Sequence, residues 1–242
     1  PVLEKGNLVI LESTSPVGAT EKMMTWMREE RLDLSFPEFG NNNFIADIAV
    51  AHCPERVLPG QVVRELIEND RIIGGVTDYC AKQAKDLYKI FVDADCLLTD
   101  CRTAELSKLV ENSFRDVNIA LSNELASFCE NVGIDYYSCV EAANTDNETY
   151  LLQPGIGVGG HCTPVYPYFL TKSNTGNFTT QKIVELGRRV NEAQPERNIN
   201  VLEKKVGSLK QKAVHILGLA FRPEVKEHSY SPAFTIRDEL LK

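Results

Sequence analysis

The stretch "PGIGVGGHCTP", Pro154 to Pro164, sets four glycines ahead of a His-Cys pair. Glycines let a backbone come close to a ligand, and the prolines behind them stiffen the chain beyond the thiol. The segment is therefore suited to presenting the Cys162 thiol, although a plain loop cysteine is the simpler alternative. Gly155, Gly157 and Gly160 also satisfy the G-x-G-x-x-G spacing of a dinucleotide loop. Such a loop has to follow a strand and open a helix, so that the helix N-terminus faces the pyrophosphate. Here "LLQP" precedes it, and Pro164 and Pro167 forbid a regular helix after it, so the cofactor-loop reading fails on context.

A cysteine nucleophile needs groups that stabilise its thiolate and the oxyanion formed on attack. "ELSKLVEN" places Lys108 and Asn112 four residues apart, on one face of a helix. An ammonium beside a carboxamide can polarise a carbonyl or hold a developing alkoxide. Arg115 extends that face with a charge suited to a phosphate. A solvated polar stripe is the competing reading. "AHCPERVLPG" puts Glu55 and Arg56 after an apolar run, at a strand end, where α/β sheets build their sites. Glu55 there is a candidate general base, or one half of a surface ion pair. In "ESTSPVG", Thr14 follows the first strand and could hold a water, although Ser13, Thr14 and Ser15 are also ordinary loop residues.

The elements that must position these groups read as α/β. Apolar runs at 7–14, 47–55, 71–76 and 95–100 suggest strands. Helical patterns at 18–31 and 80–91, with a helical turn between residues 60 and 69, alternate with them, which predicts a parallel sheet with crossovers. From Thr103 to about Asn131 nothing interrupts a helix roughly 40 Å long, with Gly133 as its stop. Its apolar residues, Leu106 and Phe114 among them, cover more than one face, as expected of a helix buried between domains or subunits. "YYSCVEAAN" and the amphipathic stretch from Thr179 to Asn191 add further helices. "KAVHILGLAF" (212–221) reads as a strand opening a second α/β unit, and "SPAFTIRDELL" as the helix after it. The expected organisation is residues 1–102 as the later part of one Rossmann-like domain, 103–200 as a central helical region, and 201–242 as the start of another.

Bulk properties narrow the function. The 242 residues are 43% apolar and 25% charged with a net charge of -8, a balance unsuited to a general nucleic-acid binder. Anionic ligands would have to be met by local basic groups. No apolar run approaches the length of a membrane span and no signal segment opens the chain. Seven scattered cysteines without a C-x-x-C pair point to a reducing, cytoplasmic setting and away from zinc. In that setting the N-x-[ST] matches at Asn147 and Asn177 are chance.

Five segments, "ILESTSPVG", "HCPERVLPG", "AELSKLVENSFRDVNIALSNELA", "LLQPGIGVGGHCTPVYPYFL" and "ILGLAFRPEVKEHSYSP", together resemble the UDP-glucose/GDP-mannose dehydrogenase family in order and spacing. The resemblance runs over most of Leu8 to Pro232 and is nearest to members acting on UDP-N-acetyl-D-mannosamine. It implies parts of two Rossmann-like domains, for NAD and for the UDP-sugar, joined by a long central helix, the same helix whose apolar faces make it the expected spine of a homodimer. It implies a four-electron oxidation of the sugar's C6 alcohol through a thiohemiacetal and a thioester on Cys162. Lys108 and Asn112 would hold the oxyanion, while Glu55 and a water on Thr14, which also borders NAD, would serve deprotonation and hydrolysis. Arg56, Val57, Arg115, Gly159, Phe221 and Arg222 would contact the nucleotide sugar. The sequence departs from the family pattern at Tyr166, where an Asp is expected. It departs again at Asp146-Asn147-Glu148 in place of His-Pro-Arg, and at Ser229 in place of an Arg. Pro59 stands where glucose-acting members have a second carboxylate. The family's dinucleotide glycine loop is expected before Pro1, and most of the UDP-binding domain after Lys242. UDP-N-acetylglucosamine or UDP-glucose as the sugar, a non-catalytic dimerisation fragment, and a cysteine acyl-transfer enzyme, which needs a base beside the thiol that the adjacent His161 need not supply, are the rival readings.

Overall fold

A computed structural model describes residues 2–57, 60–171 and 181–242. Pro59, Asn177 and the first two positions of the amphipathic stretch from Thr179 lie outside the described residues. The chain divides into two compact units, Pro1–Val110 and Glu111–Lys242.

The first unit is an α/β sheet. Its strands β1 (Leu8–Leu11), β2 (Ala49–His52), β3 (Arg71–Gly75) and β4 (Cys96–Asp100) lie in that order. The outer pairs, β1–β2 and β3–β4, are parallel as expected, whereas β2 and β3 run antiparallel and pair only at Ala51–Gly75 and His52–Gly74. Helices α1 (Ala19–Glu30), α2 (Val62–Glu68) and α3 (Asp78–Tyr88) connect the strands. Alternation along β2 serves two cores. Ile48 and Val50 join Met24, Phe36 and Val76 in one, and Ala51 and Cys53 join Ile73, Ala84 and Tyr88 in the other.

The "GG" that ends β3 is a packing requirement. A Cβ on Gly74 would lie 2.5 Å from the Asp100 carbonyl oxygen and 2.6 Å from the Ala104 Cβ, and one on Gly75 would lie 2.2 Å from the Thr77 carbonyl oxygen. Only bare backbone lets helix α4 (Cys101–Val132) leave β4 directly across β3.

α4 continues into the second unit, with Gly133 in the left-handed region (φ 73°) at its end. There it is accompanied by α5 (Tyr136–Ala143), α6 (Pro167–Thr171), α7 (Lys182–Glu192), α8 (Gln194–Val206) and α9 (Pro232–Leu240). Helix α8 is absent from the sequence reading, although Pro195 at its start and Gly207 after its end are the usual signals. The strand expected at 212–221 is not formed: the segment is mostly exposed coil. Among the described residues the second unit holds no strand, so its apolar pattern has no ladder to join and the second Rossmann-like sheet is not built here. Among the described residues no helix is long and apolar enough to cross a membrane.

His52, fully buried in β2, links this fold to pH. Burial lowers its pKa from 6.5 to about 4, against a smaller upward pull from the Leu11 carbonyl. Between those values the unfolded chain takes up a proton that the folded chain refuses, so stability falls as pH drops through that window and is regained as it rises. Urea unfolding should show His52 removing about 3 kcal/mol on going from pH 7 to below pH 4. His52→Leu should lose that part of the pH dependence; an unchanged dependence would refute the assignment.

Candidate active site

In the first unit, parallel pairing ends with Leu11 opposite His52, so the loops leaving β1 and β2 depart from one sheet edge. The Glu55 amide donates to the Glu12 carbonyl at 3.2 Å, tying the two loops together. Half-buried Thr14 and Glu55 thus share that edge, as the sequence suggests. Glu55 Oε1 accepts from the Arg56 and Val57 amides at 2.6 and 2.9 Å and lies 3.5 Å from Arg71 Nη1. The carboxylate is fixed over its own turn yet 38% exposed. Arg71 was not foreseen: it opens an apolar strand, its side chain is 1% exposed, and its guanidinium lies 5.6 Å from the Tyr88 ring centroid. Arg56 Nη1 donates to the Asp70 carbonyl at 3.3 Å, and Val57 is half-buried. Lys108, half-buried on α4, also belongs to this unit.

Glu105, equally unforeseen, occupies the N-terminus of α1. Gly18 opens that helix without a side-chain cap. The buried Glu105 carboxylate accepts instead from the Gly18 amide at 2.6 Å, the Thr20 amide at 2.7 Å and the Thr20 hydroxyl at 2.6 Å. An acidic side chain fits the partial positive charge there. It also takes the amides with which a helix N-terminus would bind a phosphate.

In the second unit, the approach to Cys162 is held by side chains of α4. Asn118 Nδ2 donates to the Tyr150 carbonyl at 2.6 Å while its Oδ1 accepts from the Leu152 amide at 2.9 Å. Asn123 Oδ1 accepts from the Gly155 amide at 2.9 Å. The glycines then press against residues 221–232. A Cβ on Gly159 would fall 2.5 Å from the Phe221 Cβ, and one on Gly157 2.9 Å from Pro232. The Gly160 amide donates to the Ser229 carbonyl at 2.8 Å. The glycine loop is shaped by protein packing, and it leads into a turn and the five-residue α6, so it is no pyrophosphate cradle.

Cys162 comes out exposed. Its carbonyl accepts from the Val165 and Tyr166 amides at 3.1 and 2.9 Å, which sets it at the head of a single helical turn. Tyr166 stacks at a tilt against Phe169, with centroids 5.7 Å apart. His161 Nδ1 lies against the Glu227 carboxylate and its ring is edge-on to Tyr230, contacts that account for it without a role as base for the thiol. Phe221 packs against Gly159; Arg222 beside it is exposed, and so is Arg115 on α4. Asn112, one turn after Lys108, is 3% exposed.

Comparison with known proteins accords with these motifs. Residues 1–92 match the NAD binding domain of the UDP-glucose/GDP-mannose dehydrogenase family, and residues 102–193 match the family's central domain. The chain is 51% identical over 97% of its length to the UDP-N-acetyl-D-mannosamine dehydrogenase of Campylobacter jejuni, covering 56% of that protein. It is 46% identical over 98% of its length to the NDP-N-acetyl-D-galactosaminuronic acid dehydrogenase of Ralstonia solanacearum, covering 55% of that protein. It thus spans about half the length of the curated relatives it matches. The structure of the UDP-D-ManNAc dehydrogenase of Pyrococcus horikoshii superposes with a TM-score of 0.88 at 39% identity, covering 99% of this chain and 56% of that one.

In the part of the chain that matches an NAD binding domain, Thr14 follows β1 at the sheet edge. The α1 N-terminus is filled by Glu105, and the glycine loop is packed on Phe221 and Pro232. The 242-residue chain should therefore bind NAD only weakly. Isothermal titration calorimetry checks this, and a micromolar dissociation constant would contradict it.

Proposed function

Because the chain belongs to the UDP-glucose/GDP-mannose dehydrogenase family, we propose that it carries the catalytic middle of an NAD-dependent dehydrogenase. This enzyme would oxidise the C6 alcohol of UDP-N-acetyl-D-mannosamine to the uronate. The observation that carries the reading is Cys162. The other exposed cysteine, Cys139, sits on a helix, whereas Cys162 stands at the end of a loop anchored to α4 and to the segment after Phe221.

NAD, when bound, supplies the acceptor for the hydride in each of two oxidations. The chain's own residues do the rest. Lys108 and Asn112 polarise the C6 oxygen, and Asn112, held buried, can hold an oxyanion in a site dry enough for one hydrogen bond to count. The Cys162 thiolate adds to the aldehyde carbon, giving a thiohemiacetal whose oxidation leaves a thioester. Glu55, fixed by two amides and Arg71, takes the proton of the alcohol and then of the hydrolytic water that Thr14 holds. Arg56, Val57, Arg115, Gly159, Phe221 and Arg222 contact the nucleotide sugar, the arginines supplying local positive charge within an acidic chain. Tyr166 leaves the thioester without the carboxylate expected four residues after the cysteine, so hydrolysis rests on Glu55 and Thr14. The substrate choice follows the Campylobacter jejuni relative; UDP-N-acetylglucosamine and UDP-glucose are the alternatives. Seven free cysteines suit a cytoplasmic enzyme.

We also propose that α4 dimerises the protein. Phe114, Leu121 and Phe128, seven residues apart, are 61%, 46% and 60% exposed. A single apolar stripe of that kind calls for a partner, and a second copy of the same helix supplies a self-complementary one.

In the full-length enzyme, Cys162→Ser should stop the reaction after the first hydride or abolish it. The measurement is NADH formed per sugar across a panel of UDP-sugars, with two NADH per sugar expected from the parent. An unchanged uronate yield from the variant would exclude the thiol. Phe128→Asp should shift the enzyme from dimer to monomer in sedimentation equilibrium, and a persisting dimer would place the interface elsewhere.

A further inference from the structure

Upstream of Cys162, the Gly155 amide is held by Asn123. The same carboxamide donates through Nδ2 to Asn191 Oδ1 at 3.0 Å. Asn191 Nδ2 donates in turn to the Asp116 carbonyl at 2.9 Å and to Asp116 Oδ1 at 2.8 Å. Downstream, the Tyr168 hydroxyl donates to Glu192 Oε1 at 2.7 Å, and that oxygen also accepts from Arg188 Nη2 at 3.1 Å. Arg188 Nη1 then donates to Asp116 Oδ1 at 2.7 Å. The two chains of hydrogen bonds therefore meet at one carboxylate oxygen, which is buried with its ion-pair partner: the Asp116 side chain is 0% and that of Arg188 6% exposed.

We propose that the Asp116–Arg188 ion pair is a positioning device for the nucleophile, gripping the Cys162 loop at Gly155 on one side and at Tyr168 on the other. The proposal rests on the reading of Cys162 as the nucleophile.

Its physical basis is a mismatch between cost and benefit. A buried ion pair contributes little net stability, and an apolar substitute of similar volume is often as good. This one also leaves Asp116 Oδ2 and Arg188 Nε buried without a hydrogen-bond partner among the described residues. A core selected only for stability has no use for such an arrangement. Directional hydrogen bonds, however, fix distances, which apolar packing on a glycine-rich segment cannot do. Gly187 on α7 lets the two helices approach closely: a Cβ there would lie 3.2 Å from Val117 Cγ2. The pair is thereby set in a rigid seam while its two arms reach the loop. An error of about 1 Å in the sulfur's place is enough to lower a rate by about a hundredfold, so two distant anchors on one root have a kinetic use.

The test uses variants that cut one arm each and leave the ion pair intact. In the full-length enzyme, Tyr168→Phe removes the downstream arm by deleting one hydroxyl from a half-buried residue, and Asn123→Ala removes the upstream one. Each should lower kcat by about tenfold, with KM for the UDP-sugar changed by less than about threefold. Hydrogen exchange should speed up in peptides spanning 155–168 but not in α9. Because both arms place one sulfur, the double variant should lose less than the product of the two single losses. Cys162→Ser is run in parallel to separate the two ideas. If it keeps full uronate yield, the nucleophile assignment itself fails. If it stalls while both single-arm variants keep kcat within about twofold of the parent, the positioning role is overturned. A fall in kcat without faster exchange around Cys162 overturns it too, because the arms would then be acting otherwise than by position.

Discussion

Residues 150–155 have neither a helix nor a ladder to satisfy their backbone, and a half-buried backbone without partners is costly. α4 answers that need. Asn118 pairs with Tyr150 and Leu152 as a strand neighbour would, and Asn123 takes the Gly155 amide. Asn144 closes the set by both accepting from and donating to Leu151. The loop to Cys162 is thus measured off along a helix, a rigid element with a fixed rise of about 1.5 Å per residue. The placement of the thiol and the exclusion of a phosphate cradle from this loop both depend on that arrangement.

The same constraint turns α4 inside out. Glu105, Asn112, Asp116 and Asn123 are all buried, and their spacings of seven, four and seven place them on one stripe. Phe114, Leu121 and Phe128 form a second stripe, exposed, about 200° around the helix from Asn112. Ordinary amphipathicity is reversed, with polar groups inward and aromatic groups outward. Inward polarity is useful where a helix must satisfy loops, cap another helix and, on the proposed reading, touch a reacting oxygen. Outward apolarity is stable only when covered, so the proposed dimer and the proposed catalytic arrangement would be two consequences of one sequence pattern.

Much of this was legible in the residues. The bounds of α4, the sheet-edge positions of Thr14 and Glu55, and the exposure of Cys162 follow from periodicity, capping and the behaviour of glycine and proline. Three things were not legible, each for a physical reason. Asp116, Arg188 and Asn191 read as ordinary surface residues of two helices, since hydrogen bonds spanning 68 to 75 positions leave no local pattern. The run at 212–221 has the composition of a strand, but strand formation requires a neighbour, which composition does not supply. The antiparallel contact of β2 with β3 depends on which ends of two short strands meet, and alternation of elements does not specify that. Arg71 is intermediate: a cation opening an apolar strand is a visible anomaly, and its partner Glu55 is a residue that the sequence does single out.

Glycine shows most clearly how one residue type divides its meanings. At Gly74 and Gly75 it removes a side chain so that helices may leave the sheet at once. At Gly157, Gly159 and Gly160 it lets a loop lie flush on Phe221 and Pro232. In both places the partner is protein, and in neither does a helix N-terminus stand open behind it. At α1, where a strand does lead into a helix, Glu105 already supplies the negative charge that a phosphate would bring. Neither the glycine loop nor the start of α1 is thus left open to a phosphate, and on the proposed reading the loop serves the thiol instead. On the proposed reading, the residues assigned to the reacting end of the cofactor and to the sugar include Asn112 of a helix whose buried stripe is polar.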